Sequence, residues 1–281
     1  LYYLFISAIA NNCTITTWQP NSQIHVATSK HPGGPFCNAR LLLPSFAHNP
    51  SVQYDQKRRQ FVLASIGKPQ APKPCVGGSD VAHTVTFGFK VLTWLNVQDD
   101  PSHHISIRTA KHPLGPWKLQ QAGHLMAHKW SFWRRWTSNP ALLVHPNGTH
   151  YLAYKALDRS PWVRASVAMA WADCASCAFK DWHKGPLFRV NIEDPFLYLN
   201  DSRLEMLLHA YKKNTQYAVW RATSSGRNFV LDPHGYRLRR PWDIRQRPAL
   251  LFDKHGAAVG IVNGVRGNAD GHSITVIDSL R

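Results

Sequence analysis

The chain has 281 residues, 44% of them hydrophobic, enough for one large core or two smaller ones. Only 17% are charged, but Lys and Arg outnumber Asp and Glu 33 to 16, and the net charge of +17 suits an acidic partner such as an anionic glycan, nucleic acid or a membrane surface. No run reaches the ~18 apolar residues of a membrane span, and the scattered basic residues (Lys57-Arg58-Arg59, Arg134-Arg135, Arg237 with Arg239-Arg240) come with no nucleic-acid motif, so neither membrane span nor nucleic acid is expected.

Leu1–Ala10 reads as a core strand, although its small residues near Ala10 also resemble the end of a signal peptide. Ile24–Ser29 alternates as a second strand and runs into Lys30-His31-Pro32-Gly33-Gly34-Pro35-Phe36. The same Lys-His-Pro-x-Gly-Pro-aromatic text returns 81 residues later at Lys111–Trp117, a true internal repeat, with looser echoes ending at Phe179 and Phe229. A second phrase, polar residues then proline then an apolar β-prone run, occurs at His48-Asn49-Pro50, Ser138-Asn139-Pro140, Glu193-Asp194-Pro195 and Gln246-Arg247-Pro248. Proline suits a strand start and disfavours helix in the residue before it, so each polar pair is expected in extended backbone at a strand mouth. After each proline come a short strand, a Gly/Asn/Asp turn and another strand, which is a hairpin. Its tail phrase supplies a third strand.

The head prolines are 90, 55 and 53 residues apart, the first interval lengthened by an inserted segment at 68–101 whose start, Lys68–Pro74, is proline-rich. No long amphipathic helix is evident. Antiparallel units repeating at about 50 residues predict an all-β, five-bladed β-propeller in a single domain over 1–281. Its blades start near 1, 46, 137, 191 and 244, the first without a head phrase of its own. The polar heads then ring one end of the central channel.

This text resembles the five-bladed propeller glycoside hydrolases of the arabinanase and β-xylosidase group, family 43 and its relatives, from Leu1 to about Val265. The resemblance is carried by Glu193–Leu197, by Ser138-Asn139-Pro140 with Asn147–Leu152, and by the Lys-His-Pro tails. It is closest to eukaryotic members with an Arg-x-Arg-Pro-x-Leu run like Arg245–Leu250 followed by Asn263-Gly264-Val265. Members of the group use an Asp base in the first head, an Asp modulator in the third and a Glu acid in the fourth. The resemblance therefore puts the general acid at Glu193, finds an amide, Asn139, at the modulator position, and finds no first head.

Hydrolysis ordinarily takes two carboxyl groups across the scissile bond. Asp194 adjoins Glu193, but strand alternation turns neighbours apart, so it is either a second catalytic group or a cap on the turn before the strand. Asp80 in the insertion and Asp243 before the fifth head are further carboxylates that could reach the mouth or lie in surface loops. His48, Asn49, Asn139 and Arg247 are candidate substrate-binding residues, Arg247 for a carboxylate or sulfate; alternatively these groups satisfy the backbone around a narrow channel. Trp130, Trp133 and Trp136 could stack on sugar rings or pack blades together. The implied partner is carbohydrate, an anionic polysaccharide among the candidates, bound or cleaved; the alternative is a catalytically silent, lectin-like or structural extracellular component.

Sequons at Asn12, Asn147 and Asn200 and five cysteines suit a secreted glycoprotein. Cys174-Ala175-Ser176-Cys177 reads as a turn disulfide, because no second such pair completes a zinc site; Cys37 with Cys75 is the expected second bridge, leaving Cys13 over. No cofactor or metal is expected.

Overall fold

The computed structural model describes all residues except 14–17, 69, 76–103, 124–136, 158–164, 184, 189, 211–218, 226, 233–244, 254, 267–272 and 281. Asp80, Asp243, the tryptophans at 130, 133 and 136 and most of the inserted segment lie outside the described residues.

The fold is a five-bladed β-propeller of five antiparallel sheets. The first blade holds β1 (Tyr2–Ile9), β2 (Ser22–Ser29) and β3 (Cys37–Leu43); the second holds β4 (His48–Asp55), β5 (Gln60–Ile66), β6 (Ile105–Ala110) and β7 (Lys118–Gly123). The third comprises β8 (Thr137–Val144), β9 (His150–Leu157), β10 (Ala165–Ala172) and β11 (Lys180–Asp181). The fourth comprises β12 (Ile192–Asn200), β13 (Arg203–Ala210), β14 (Val219–Ser225) and β15 (Asn228–Asp232), and the fifth β16 (Arg245–Phe252), β17 (Ala258–Arg266) and β18 (Ser273–Ser279). The strands carrying the head phrases, β4, β8, β12 and β16, pack side by side as the innermost of their blades.

The core lies between blades because each sheet buries apolar side chains on both faces. Val62, Ile105 and Ile107 meet Leu142, Leu152 and Tyr154 between the second and third blades. Met169, Leu143 and Val167 meet Leu197, Met206 and Leu208 between the third and fourth. Smaller clusters around Leu207, Leu250 and Ile261, and around Ile24, Leu43 and Leu63, join the fifth and first blades to their neighbours.

The repeated Lys-His-Pro phrase joins β6 to β7 and, in the first blade, β2 to β3. It is therefore the turn between third and fourth strands, and β1 corresponds to the second strand of the other blades rather than to a head strand.

Head residues depart from the expected geometry. Instead of extended backbone, Asn49, Asn139, Asp194 and Arg247 all take positive φ, between 49° and 54°. At each head the register skips, for example from His48↔Ile66 to Ser51↔Ala64, so the left-handed residue and its proline form a bulge. Proline excludes the right-handed helical region, and Asn and Asp tolerate the left-handed one that the bulge demands. Proline also has no N–H to lose from the ladder.

Cys174 and Cys177 are bridged as expected. The second bridge differs: Cys13 pairs with Cys75, and Cys37 is free and exposed. Strand direction explains the correction. Cys13 follows the end of β1 and Cys75 follows β5, both at the head end, where Lys73 N donates to Asn21 Oδ1 at 2.7 Å and Asn21 Nδ2 reaches Cys13 Sγ at 3.5 Å. Cys37 opens β3 at the opposite end. Peptide mapping without reduction is expected to recover the Cys13–Cys75 and Cys174–Cys177 linkages and an alkylated Cys37; a Cys37–Cys75 peptide would contradict the topology.

Buried ion pairs tie the turn end. Asp55 accepts from Arg58 at 2.9 Å and contacts His150 Nε2 at 3.0 Å, while Glu205 accepts from Arg221, Tyr198 and Asn200. Burial alone would raise both carboxyls, but these contacts overcome it and hold them below their usual values. Burial outweighs the Asp55 contact at His150 and lowers it below 6.5. All three depressed groups give stability that is present at high pH and lost on acidification. The midpoint of thermal unfolding is expected to fall first as pH drops below 6.5, the usual histidine value, and again below the carboxylate range. A flat profile from pH ~7 to ~3 would contradict this linkage.

Candidate functional site

The left-handed head residues form a hydrogen-bonded belt across all five blades at the head end of the channel. Asn49 N donates to Ser7 Oγ of β1 at 2.9 Å, and Asn49 Nδ2 donates to Asn139 Oδ1 at 2.8 Å. Asn139 Nδ2 donates to Asp194 Oδ1 at 2.6 Å, and the backbone N–H of Arg247 donates to Asp194 Oδ2 at 3.3 Å. The belt takes one of the two amide hydrogens of each of Asn49 and Asn139, and it fixes Asp194, which is 5% exposed.

Glu193 sits beside the belt, 7% exposed. It is paired in register with His209 of β13, whose Nδ1 lies 3.6 Å from Glu193 and 3.7 Å from Asp194. Lys155 of β9 reaches across from the third blade and forms an ion pair with Glu193 Oε2. The bulge answers the question of direction: in a regular strand residues 193 and 194 would point to opposite faces, yet here both carboxylates meet the same histidine. The Arg247 side chain is 43% exposed, with Nη1 4.0 Å from Asp194 Oδ1.

The other expected ligand residue, His48, makes its contacts outside this group. It is buried, bonded to Ser22 Oγ at 2.8 Å and covered by Trp18 at a centroid distance of 4.7 Å. Burial, reinforced by the charge of Arg247, holds it well below 6.5 and favours its neutral form. The structure thus brings together Glu193, Asp194, Asn49, Asn139 and Arg247 and leaves His48 beneath them. Sequence reasoning missed Lys155 and His209, which stand out as polar residues in the apolar strands Tyr151–Ala156 and Leu204–Ala210.

Glu193, Asp194 and His209 each offer one atom within 4.8 Å of the others and are the described group able to hold a metal ion. The ammonium of Lys155 already supplies a positive charge against Glu193.

No protein-family model and no curated protein matches the chain. Solved structures do match. A family 117 glycoside hydrolase from the marine bacterium Zobellia galactanivorans superposes with a TM-score of 0.64 at 17% identity, over 98% of this chain and 79% of that one. A thermostable family 43 glycoside hydrolase gives 0.60 at 13% identity, over 100% and 86%. A family 43 β-1,3-galactosidase gives 0.58 at 10% identity, over 100% and 87%. The fold is that of the five-bladed glycoside hydrolases. At these identities the likeness concerns architecture, and this glycoside-hydrolase-like propeller keeps a single acidic pair, Glu193-Asp194, among the described head residues.

Asn139→Asp, which would install the carboxylate found at this position in the family the sequence resembles, removes the Nδ2 donor and sets a second negative charge against Asp194. The expected result is a loss of about 2 kcal/mol in denaturant unfolding. An unchanged stability would show that the Asn139–Asp194 bond is not part of a coupled belt.

Proposed function

We propose that this propeller recognises a carbohydrate at the head end of its channel, with Glu193, His209, Lys155 and Arg247 as the contact groups, and that the site in this form binds rather than hydrolyses. The observation that supports binding is the fate of the two carboxylates. Glu193 is ion-paired with Lys155, so its carboxylate is already engaged by a cation of the protein. Asp194 is held in the belt on the same strand, one of its oxygens lying within 4.8 Å of one of Glu193 and both facing the same histidine. Hydrolysis by two carboxyl groups needs them on opposite sides of that bond, about 5 to 10 Å apart. Hydrogen-bonding carboxylate, imidazole, ammonium and guanidinium groups suit sugar hydroxyls, and the exposed Arg247 suits an acidic or sulfated sugar.

A second reading keeps hydrolysis with Glu193 as the acid. It is favoured by the placement of Glu193 at the innermost strand, buried and 3.6 Å from His209. Two disulfides support an oxidising, extracellular setting. There Asn147, exposed in the β8–β9 turn, is the better glycan acceptor; Asn200 is half-buried and donates to Glu205.

The test is a glycan panel read for both binding and released sugar. The expected outcome is a bound glycan with no product, its affinity lowered about tenfold or more in Glu193→Gln and in Arg247→Ala. Release of sugar that disappears in Glu193→Gln would overturn binding-only in favour of hydrolysis, and a panel without any ligand would overturn both readings.

A further inference from the structure

The internal repeat has no part in the axial site, yet it places charge. In the first blade Lys30-His31 opens the turn after β2, and in the second Lys111-His112 opens the same turn after β6. Both turns lie at the end of the propeller away from the head belt. In the second blade, Asp55 pairs with Gln60 and Phe61 pairs with Ala110, so the 55–60 and 111–117 turns sit together opposite His48. In the first, Ser22 touches His48 and Ser29 pairs with Tyr2, which sends Lys30 to the same far end.

Further cations converge there. Lys57 and Arg59 are exposed in the β4–β5 turn, and Lys118 is exposed at the start of β7. The groups are tied into one surface. Lys111 Nζ donates to the carbonyls of Arg58 and Arg59 at 3.4 and 3.5 Å. Lys57 Nζ donates to Asn147 O at 3.3 Å, and Arg58 to Gly148 O at 3.1 Å. Tyr3 of the first blade meets His112 of the second edge-on at 6.3 Å.

The opposing charge is missing from these turns. Among the described residues, the acid in the turns of the first two blades is Asp55, whose side chain is fully buried and satisfied by Arg58 and His150. Among the described residues, the exposed acids of this end belong to the turns of later blades: Asp173, whose backbone carbonyl accepts from Arg58 at the edge of this face and whose carboxylate lies 3.9 Å from Lys180, and Asp201, two residues from Arg203. Among the described residues, exposed positive charge thus gathers on the turns of two adjacent blades, part of it carried by a repeated turn.

We infer that this turn face, opposite the head belt, is a docking surface for a linear anionic polysaccharide, with Lys30, Lys57, Arg59, Lys111 and Lys118 meeting its sulfate or carboxylate groups. Equivalent cations repeated from blade to blade suit a polymer whose charges also repeat. Two disulfides suit a compartment in which acidic polysaccharides are abundant linear polyanions. The choice of polysaccharide over other polyanions rests on the carbohydrate reading of the axial end. The surface is nonetheless a second one, and its residues are separate from those of the axial site, so either reading can fail alone.

The full chain is tested on immobilised dextran sulfate, with neutral dextran as reference. The sulfated polymer is expected to bind and the neutral one not. With about four charge contacts, a roughly fourfold rise in salt should weaken binding about 50-fold. The variant Lys30→Gln/Lys57→Gln/Arg59→Gln/Lys111→Gln should lose tenfold or more. A control with the same net charge, Lys68→Gln/Lys73→Gln/Lys180→Gln/Arg203→Gln, should keep most of the affinity, both variants showing the parent unfolding temperature. Equal losses in the two variants would reduce the effect to overall charge and overturn the site. Equal binding to both dextrans, or tighter binding to duplex DNA or phosphatidylserine vesicles than to dextran sulfate, would overturn the polysaccharide assignment.

Discussion

The bond from Asn139 Nδ2 to Asp194 Oδ1 is the link on which the head end depends. It exists because both residues stand in left-handed backbone immediately before a proline, and it ties the third blade to the fourth. The same geometry repeats at Asn49 and Arg247, so four bulges feed one belt that also reaches Ser7 of the first blade. The inner strands send apolar residues such as Leu143, Leu197 and Leu250 into the clusters between blades, and the polar belt adds a direct side-chain link at their head ends. A buried network of this kind stabilises the fold when all its members are satisfied and is costly when one is removed.

The bulge also decides the chemistry. By turning residue 194 left-handed it brings Glu193 and Asp194 to the same side, against His209, and so spends the acidic pair locally. Lys155 then arrives from the neighbouring blade to pair with Glu193. The result is a compact charged cluster beside an amide belt. At the other end of the molecule, exposed cations outnumber exposed acids on the described turns of the first two blades, with Asp173 of the third blade at their edge. The two ends thus differ in kind, one a buried and largely compensated polar site, the other an open positive face.

Much of the architecture was legible because proline and glycine punctuate it. The four head prolines marked the innermost strands, and the Lys-His-Pro turns revealed the repeat. Backbone sign was not legible: an X-Pro step predicts extended backbone, and only the bulge, a property of the paired strand, makes the left-handed alternative fit. The Asn and Asp residues at three of the four positions were the available hint. Lys155 and His209 escaped notice because they belong to second strands, and their approach to Glu193 depends on register, His209 lying directly across from Glu193 and Lys155 across from Ser138 one blade away. The partner of Cys75 was missed for a similar reason. Knowing that Cys13 and Cys75 share an end requires assigning β1 as a second strand, which the missing head phrase hinted at but did not establish.

The belt is tested most directly by a double-mutant cycle on Asn139→Ala and Asp194→Ala, measured by reversible denaturant unfolding. If the two residues act as one linked unit, the double variant should cost about 1 kcal/mol or more less than the sum of the single variants. Additivity to within about 0.3 kcal/mol would contradict the account, since it would mean that the blades hold their axial arrangement without this bond.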